Sequence, residues 1–146
     1  MKEKTVRQIG VLVLAVVLAV GCASLGKGPS DKDQVQAMLG AWKAAAIEKN
    51  TDKMMALYSE EFSHSGSDYQ AADKAALRKF SEECKQKGYF DGVEIATNNA
   101  TINIQGNMAT ISGIDWTNNQ GTAAIELTAK KGKTGWLITN MSIAGI

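Results

Sequence analysis

The sequence predicts an α+β fold in which N-terminal helices pack on a strongly curved antiparallel sheet. Between residues 31 and 88 the apolar residues recur at the helical spacing of three or four, whereas from Val93 onward they alternate with polar residues. Short segments rich in Asn and Gly separate the alternating runs, as in consecutive hairpins. Helices first and strands second is the order of an α+β domain with its helices on one face of the sheet.

The first 21 residues have the pattern of a signal peptide. Lys2, Lys4 and Arg7 precede an uncharged, mostly apolar run at 9–21. As a helix, this run would measure about 20 Å, which is shorter than the roughly 30 Å hydrocarbon core of a bilayer. The run therefore suits a cleaved leader better than a membrane-spanning helix.

The sequence LAVG at 18–21, followed by Cys22, resembles the lipobox of bacterial lipoproteins. The resemblance implies that residues 1–21 are removed and that a lipid on Cys22 attaches the mature chain to a membrane of the cell envelope. The residue after the cysteine is Ala23 and not Asp. By the same resemblance, this implies the outer membrane, facing the periplasm, in a diderm bacterium. Ordinary secretion, or a short membrane anchor with an incidental thiol, is the alternative.

Residues 22–30 (CASLGKGPS) are predicted to be a flexible tether, with a maximum reach of about 30 Å, and 31–146 a single domain. Of the 16 basic and 15 acidic residues, three basic and one acidic precede Cys22, which leaves the mature chain a net charge near −1. Its densest basic cluster is Lys130, Lys131 and Lys133 at a hairpin tip. This pattern does not indicate a nucleic-acid partner.

Three helices are expected. Ser30 and Asp33 form a capping box for the first, and the segment 50–52 ends it and caps a second. The second helix is expected to carry Met54, Met55, Leu57 and Tyr58 on its apolar side. Asp73 caps the third helix, and Gly88 ends it. Leu77, Phe80 and Cys84 form one apolar stripe on this helix. The segment 62–67 is either a short strand or a loop.

The strands are expected at 93–97, 100–105, 108–117, 123–129 and 136–143, joined by consecutive hairpins. The third of them contains a conflict, because Ile111 and the pair Ile114 and Trp116 lie on opposite faces of a regular strand. A β-bulge at Gly113 would place all three inside, bend the sheet and turn Asp115 outward. Without the bulge, Asp115 shares the face of Ile111. The bulge is the favoured interpretation.

Several segments resemble the nuclear transport factor 2-like superfamily of cone-shaped α+β domains. They are WKAAA at 42–46 with KNTD at 49–52, MALYSEEF at 55–62, and WLI at 136–138 with NMS at 140–142. The resemblance covers about 31–146 and implies a cone that hosts isomerases, dehydratases, cyclases and non-catalytic domains. Enzymes of the family often carry His where Asn140 stands here, which lowers the expectation of catalysis.

The pocket candidates are aromatic residues and one carboxylate: Trp42, Tyr58, Tyr69, Asp115 and Trp116. An isomerase-like pair of Tyr58 with Asp115 or Glu126 is conceivable, but core packing is the simpler interpretation. His64, the only histidine, is interpreted as a solvated loop residue. Cys84 is interpreted as a core thiol. No catalytic residue, metal site or cofactor is assigned.

The sequence therefore favours a lipid-anchored envelope protein with a non-catalytic ligand-binding or assembly domain. The expected partners are the membrane, through the lipid on Cys22, and a small apolar ligand in the cone. A homodimer through the sheet is a further candidate. The alternative function is a small isomerase- or dehydratase-like enzyme that uses the cone for proton transfer. An enclosed apolar cone favours the first, and a buried carboxylate beside Tyr58 favours the second.

Overall fold

The computed structural model describes residues 28–64 and 71–145. Cys22 with the predicted leader and most of the tether, and Tyr69, lie outside these ranges. The elements follow in the order α1 (Asp31–Ile47), α2 (Thr51–Met55), β1 (Tyr58–His64), α3 (Lys74–Gln86), β2 (Glu94–Ala96), β3 (Thr101–Gln105), β4 (Met108–Asn118), β5 (Gly121–Gly132) and β6 (Gly135–Ala144). No helix in the described ranges is both long and apolar enough to span a membrane.

The three helices begin at the expected caps. The Ser30 hydroxyl accepts a hydrogen bond from the Asp33 backbone N–H at 3.2 Å, and the Asp33 carboxylate accepts one from the Ser30 backbone N–H at 3.1 Å. Asn50 and Asp73 accept the corresponding bonds at the starts of α2 and α3. These local hydrogen bonds fix the helix starts because they satisfy backbone donors that have no partner within the helix.

The prediction that Tyr58 belongs to the second helix was wrong. α2 ends at Met55, and Tyr58 begins β1, which pairs in parallel with β6. The sheet is therefore mixed rather than purely antiparallel, with the strand order β1-β6-β5-β4-β2. The Ile138 backbone N–H donates to the Leu57 carbonyl at 2.8 Å, so the chain already follows the sheet one residue before Tyr58.

The predicted hairpin between the first two strands after Gly88 does not form. β2 and β3 instead lie end to end along β4, with Ile95 opposite Trp116 and Ile102 opposite Ile111. The turn at Asn98-Asn99 joins them and is closed by a bond from the Ala100 N–H to the Thr97 carbonyl at 3.1 Å. The other hairpins, β3–β4, β4–β5 and β5–β6, form as expected.

The β-bulge at Gly113 is present. The register of β4 against β5 shifts between Ile111 and Ile114, and Gly113 has a φ of 75°, in the left-handed region that favours glycine. A Cβ on Gly113 would lie 2.7 Å from the Asn99 carbonyl oxygen, so the turn between β2 and β3 packs directly on the bulge. The bulge brings Ile111 and Ile114 to full burial on one side and leaves Asp115 exposed.

The core lies between the helices and the inner face of the sheet. α1 supplies Val35, Leu39 and Trp42, all nearly inaccessible to solvent. The inner face of the sheet supplies alternate residues of each long strand, as its period of two requires. These are Ala109, Ile111, Ile114, Ala123, Ile125, Leu127, Ala129, Trp136, Ile138 and Met141.

Candidate functional site

A cavity of about 280 Å³ opens between the sheet and the helices α2 and α3. Its walls are mostly apolar and aromatic side chains. The lining residues are Trp42, Met54, Tyr58, Leu77, Phe80, Ser81, Cys84, Tyr89, Phe90, Trp116, Asn118, Ala123, Ile125, Met141 and Ile143. On β4, the bulge at Gly113 places Trp116 on the inner face of the sheet, where its ring contacts Phe90.

Tyr58 forms the polar centre of one wall, and its hydroxyl is already engaged. The Trp42 indole Nε1–H donates to the Tyr58 hydroxyl at 2.8 Å, and the hydroxyl donates to the Met141 sulfur at 3.6 Å. Trp42 and Tyr58 are each only 2 % exposed. The phenol is therefore held in a fixed orientation by protein partners, which keeps it from acting as a free hydrogen-bond donor towards a guest molecule.

Aromatic rings define the shape of the cavity. Trp116 makes edge-to-face contacts with Trp42, at 6.0 Å between ring centroids, and with Phe90, at 5.1 Å. Tyr58 makes a similar contact with Phe62, also at 5.1 Å. Such perpendicular pairs each contribute about 0.5–1.5 kcal/mol beyond area burial and favour one orientation of each ring.

The remaining polar groups of the lining are neutral. Asn118 is used within the protein, since its side-chain N–H donates to the Tyr89 carbonyl at 3.0 Å and its oxygen accepts from the Gln120 N–H at 2.8 Å. Burial raises the pKa of the Cys84 thiol to about 11, so the thiol is protonated at neutral pH and a poor nucleophile. Ser81 is 5 % exposed and contributes a hydroxyl on the same side of α3.

The cavity wall, as far as the described residues form it, contains no carboxylate, imidazole, ammonium or guanidinium group. In the same ranges, no three His, Cys, Asp or Glu side chains converge as metal ligands would. General acid–base chemistry needs a titratable group within hydrogen-bond reach of the reacting proton. The hydroxyl and thiol groups of the described wall are the engaged Tyr58 phenol, the protonated Cys84 thiol, the Ser81 hydroxyl and the Tyr89 phenol.

Three of the five pocket candidates, Trp42, Tyr58 and Trp116, lie on this cavity. Asp115 does not, because the bulge turns its side chain to the outer face of the sheet, where Glu126 is also exposed. The isomerase-like pairs of Tyr58 with Asp115 or Glu126 are therefore not formed. The fifth candidate, Tyr69, lies outside the described residues.

His64 is not a loop residue, as the sequence had suggested. It is the last residue of β1, pairs in register with Met141 and is partly buried. Burial lowers the pKa of its imidazole because it disfavours the charged form. His64 is not among the residues that line the cavity.

Several lining residues escaped the sequence interpretation. Tyr89 and Phe90 follow Gly88, which ends α3 with a φ of 77°. An apolar residue just beyond a left-handed C-terminal glycine usually packs back on its helix, so this signal was available. The stripe Leu77, Phe80 and Cys84 was recognised as one face of α3, but nothing in its spacing indicates a cavity rather than a filled core.

A protein-family model described as the SnoaL-like domain matches residues 35–143. No curated protein sequence matches the chain. Solved structures with a similar fold include a protein of unknown function with a cystatin-like fold from Nostoc punctiforme, at 15 % identity and a TM-score of 0.65, covering 80 % of this chain and 93 % of that one.

A nuclear transport factor 2-like protein from Novosphingobium aromaticivorans has a TM-score of 0.64 at 15 % identity and covers 78 % of this chain and 80 % of its own. A presumed dehydratase of the same family from Streptomyces avermitilis has a TM-score of 0.66 at 8 % identity, with coverages of 80 % and 96 %. At these identities the similarity concerns the fold and not the chemistry.

Proposed function

This chain belongs to the SnoaL-like family of nuclear transport factor 2-like domains, and we propose that it uses its cone to bind a small apolar molecule without transforming it. The observation that carries the proposal is the lining of the cavity. Apolar and aromatic side chains surround it, and its few polar groups are neutral. Concave, apolar and largely preformed sites are the usual binding sites for small molecules.

The dimensions of the cavity restrict the ligand. At about 280 Å³ the cavity lies just below the usual range of small-molecule sites, roughly 300–1,000 Å³. A molecule of up to three rings, or a short branched chain, fits such a space. An ionised ligand would lose its hydration without gaining a counter-charge from the described wall, so the ligand is neutral.

The proposal places the domain in the bacterial cell envelope. Its support is the sequence before residue 28: a basic segment, an uncharged run at 9–21 and Cys22 after a small residue. With Cys22 lipidated, the domain is anchored to a membrane, the outer membrane facing the periplasm in a diderm bacterium. An apolar ligand of low solubility is then captured close to the membrane into which it partitions.

The binding proposal can be tested with neighbouring alanines on opposite faces of β5. Ala123 is 1 % exposed and lines the cavity, whereas Ala124 is exposed on the outer face. Ala123→Phe places a ring in the cavity, Ala123→Val is a milder version, and Ala124→Phe is the matched control. All are made in the full chain. The non-ionic detergent is kept below its critical micelle concentration, so that the probe has no micelles to enter.

The probe is the neutral fluorophore N-phenyl-1-naphthylamine, detected by energy transfer from Trp42 and Trp116. We expect saturable binding to the parent protein and the Ala124→Phe variant, weaker binding to Ala123→Val and loss of binding to Ala123→Phe. Circular dichroism verifies that each variant is folded. Equal binding by folded Ala123→Phe would show that the cavity is not the binding site, and turnover of a bound ligand would contradict a non-catalytic role.

A further inference from the structure

One end of the domain, here called the tether end, brings together three segments that are distant in sequence. They are residues 28–33 at the start of α1, the β3–β4 turn at 105–108, and the tip of the β5–β6 hairpin at 130–134. The Lys131 ammonium donates to the Asp31 carboxylate at 2.6 Å, and the Lys131 backbone N–H donates to the Asn107 carbonyl at 2.8 Å. The chain thus enters the domain beside two hairpin ends.

Lysines are concentrated at the tether end. Lys130 lies 3.6 Å from the Glu61 carboxylate, and Lys131 holds the pKa of Asp31 below its usual range through their hydrogen bond. Lys32 and Lys133 are exposed and take part in none of the ion pairs within the described ranges. These four lysines stand against three carboxylates, those of Asp31, Asp33 and Glu61. The tether end is therefore positive, although the mature chain has a net charge near −1.

An exposed apolar side chain lies among these lysines. Met108 is 38 % exposed, one of only two large apolar residues so exposed in the described part of the chain. It pairs with Lys130 across the β4–β5 ladder, so the two side chains share the outer face of the sheet. A flexible thioether beside ammonium groups suits the boundary between lipid head groups and acyl chains, where the lysines remain at the charged surface.

We propose that the tether end is a docking surface for an anionic lipid bilayer, so that the domain rests on the membrane to which Cys22 attaches it. This inference depends on the lipid anchor proposed above. The nine residues 22–30 reach at most about 30 Å, so the start of α1 cannot move far from the bilayer. The short tether holds the end that carries the lysines and Met108 nearest to the acidic head groups, whose attraction falls off within a Debye length.

The orientation can be measured with a dye attached at either end of β5. Thr134→Cys places a label at the β5–β6 hairpin tip, and Asn119→Cys places one in the β4–β5 turn, at the far end of the 12-residue β5 and thus roughly 30 Å away. Both positions are exposed. Cys84 does not compete for the maleimide because it is buried and protonated. The lipidated full chain is reconstituted into vesicles of phosphatidylcholine with or without 30 % phosphatidylglycerol.

We expect the label at 134, but not that at 119, to shift to shorter emission wavelength and to lose accessibility to iodide in the anionic vesicles at low salt. When Lys32→Gln and Lys133→Gln are introduced into the protein labelled at 134, the ratio of docked to undocked protein should fall by roughly tenfold or more. Met108→Gln should reverse the wavelength shift. The control pair Lys79→Gln, on α3, and Lys87→Gln, at its C-cap, should leave both signals unchanged.

Equal accessibility at 134 and 119 in a protein whose lipid is verified by mass spectrometry would overturn the docking surface and leave the anchor intact. A full chain that carries no lipid would overturn the anchor and this inference together. Binding of N-phenyl-1-naphthylamine in the cavity is unaffected by either result, so a failure of the binding proposal is recognised separately.

Discussion

Replacing Gly113 by alanine should be among the most damaging small substitutions in this domain. The residue has a φ of 75°, and a Cβ placed on it would approach the Asn99 carbonyl oxygen to 2.7 Å, closer than real Cβ contacts allow. Gly106 provides a matched control, because its φ is 61° but no heavy atom lies within 4 Å of its Cβ position. The two glycines therefore share a conformation and differ in the space beside them.

The two effects have separate magnitudes. A left-handed conformation costs an L-residue about 1–2 kcal/mol, which applies to both Gly113→Ala and Gly106→Ala. Forcing a methyl group into an occupied space adds about 1–3 kcal/mol, which applies only at Gly113. We therefore expect Gly106→Ala to lower the free energy of unfolding by about 1–2 kcal/mol, and Gly113→Ala by about 2–5 kcal/mol.

The measurement is urea unfolding of both variants, followed by tryptophan fluorescence and circular dichroism. The bulge also aims Trp116 into the cavity, so Gly113→Ala should weaken binding of N-phenyl-1-naphthylamine whereas Gly106→Ala should not. The losses of unfolding free energy in the two variants could differ by less than about 0.5 kcal/mol, which is the ordinary error of additivity. That result would show that the contact between Asn99 and the bulge does not affect stability.

Three further predictions concern the phenol, the buried thiol and the proposed anchor. Tyr58→Phe removes the acceptor of the buried Trp42 N–H and should lower the free energy of unfolding by about 1–3 kcal/mol in a urea titration; unchanged stability would contradict that hydrogen bond. Cys84 should react with Ellman's reagent at pH 8 only after unfolding. Because its pKa is raised from 9.0 to about 11, stability should also fall as the pH rises through this interval, where the unfolded thiol ionises first; rapid reaction of the folded protein would refute its burial. Cys22→Ser should abolish incorporation of labelled palmitate and accumulate the precursor, and retained labelling would exclude this cysteine as the lipid site.

The helices and most hairpins were predictable because their signals are local. The capping residues Ser30, Asn50 and Asp73 each lie within three residues of the backbone N–H that they bind. The bulge at Gly113 was also recognisable, since a glycine between apolar residues of opposite phase leaves few alternatives. In each case the decisive interaction is formed by residues close together in sequence.

The end of the second helix was mispredicted because its apolar spacing fits two structures. Tyr58 and Phe62 are four residues apart, which is one helical turn and also two repeats of a strand. What decides between them is pairing with β6, about eighty positions later in the chain. No turn residue marks a parallel pairing of this kind, because the strands that it joins are not neighbours in sequence.

The contrast between contacts that are close together and far apart in sequence also explains how much of the cavity could be predicted. Trp42, Tyr58 and Trp116 are conspicuous as aromatic residues on predicted elements. Whether they enclose a space or fill it depends on the volumes of side chains from α3 and three strands, which periodicity does not encode. Asp115 required the phase of β4 to be decided first, and its exposed position followed only from the bulge.

The parallel pairing of β1 with β6 has a consequence for how the domain matures. β6 lies between β1 and β5, so neither strand has its full set of partners until Gly135–Ala144 has been synthesised. A nascent chain that lacks this segment cannot close its sheet, and such non-local pairings form slowly. On the proposed export route this delay is useful, because a polypeptide that has not yet closed can still be threaded through a secretion channel, whereas one truncated before β6 would remain open to proteases.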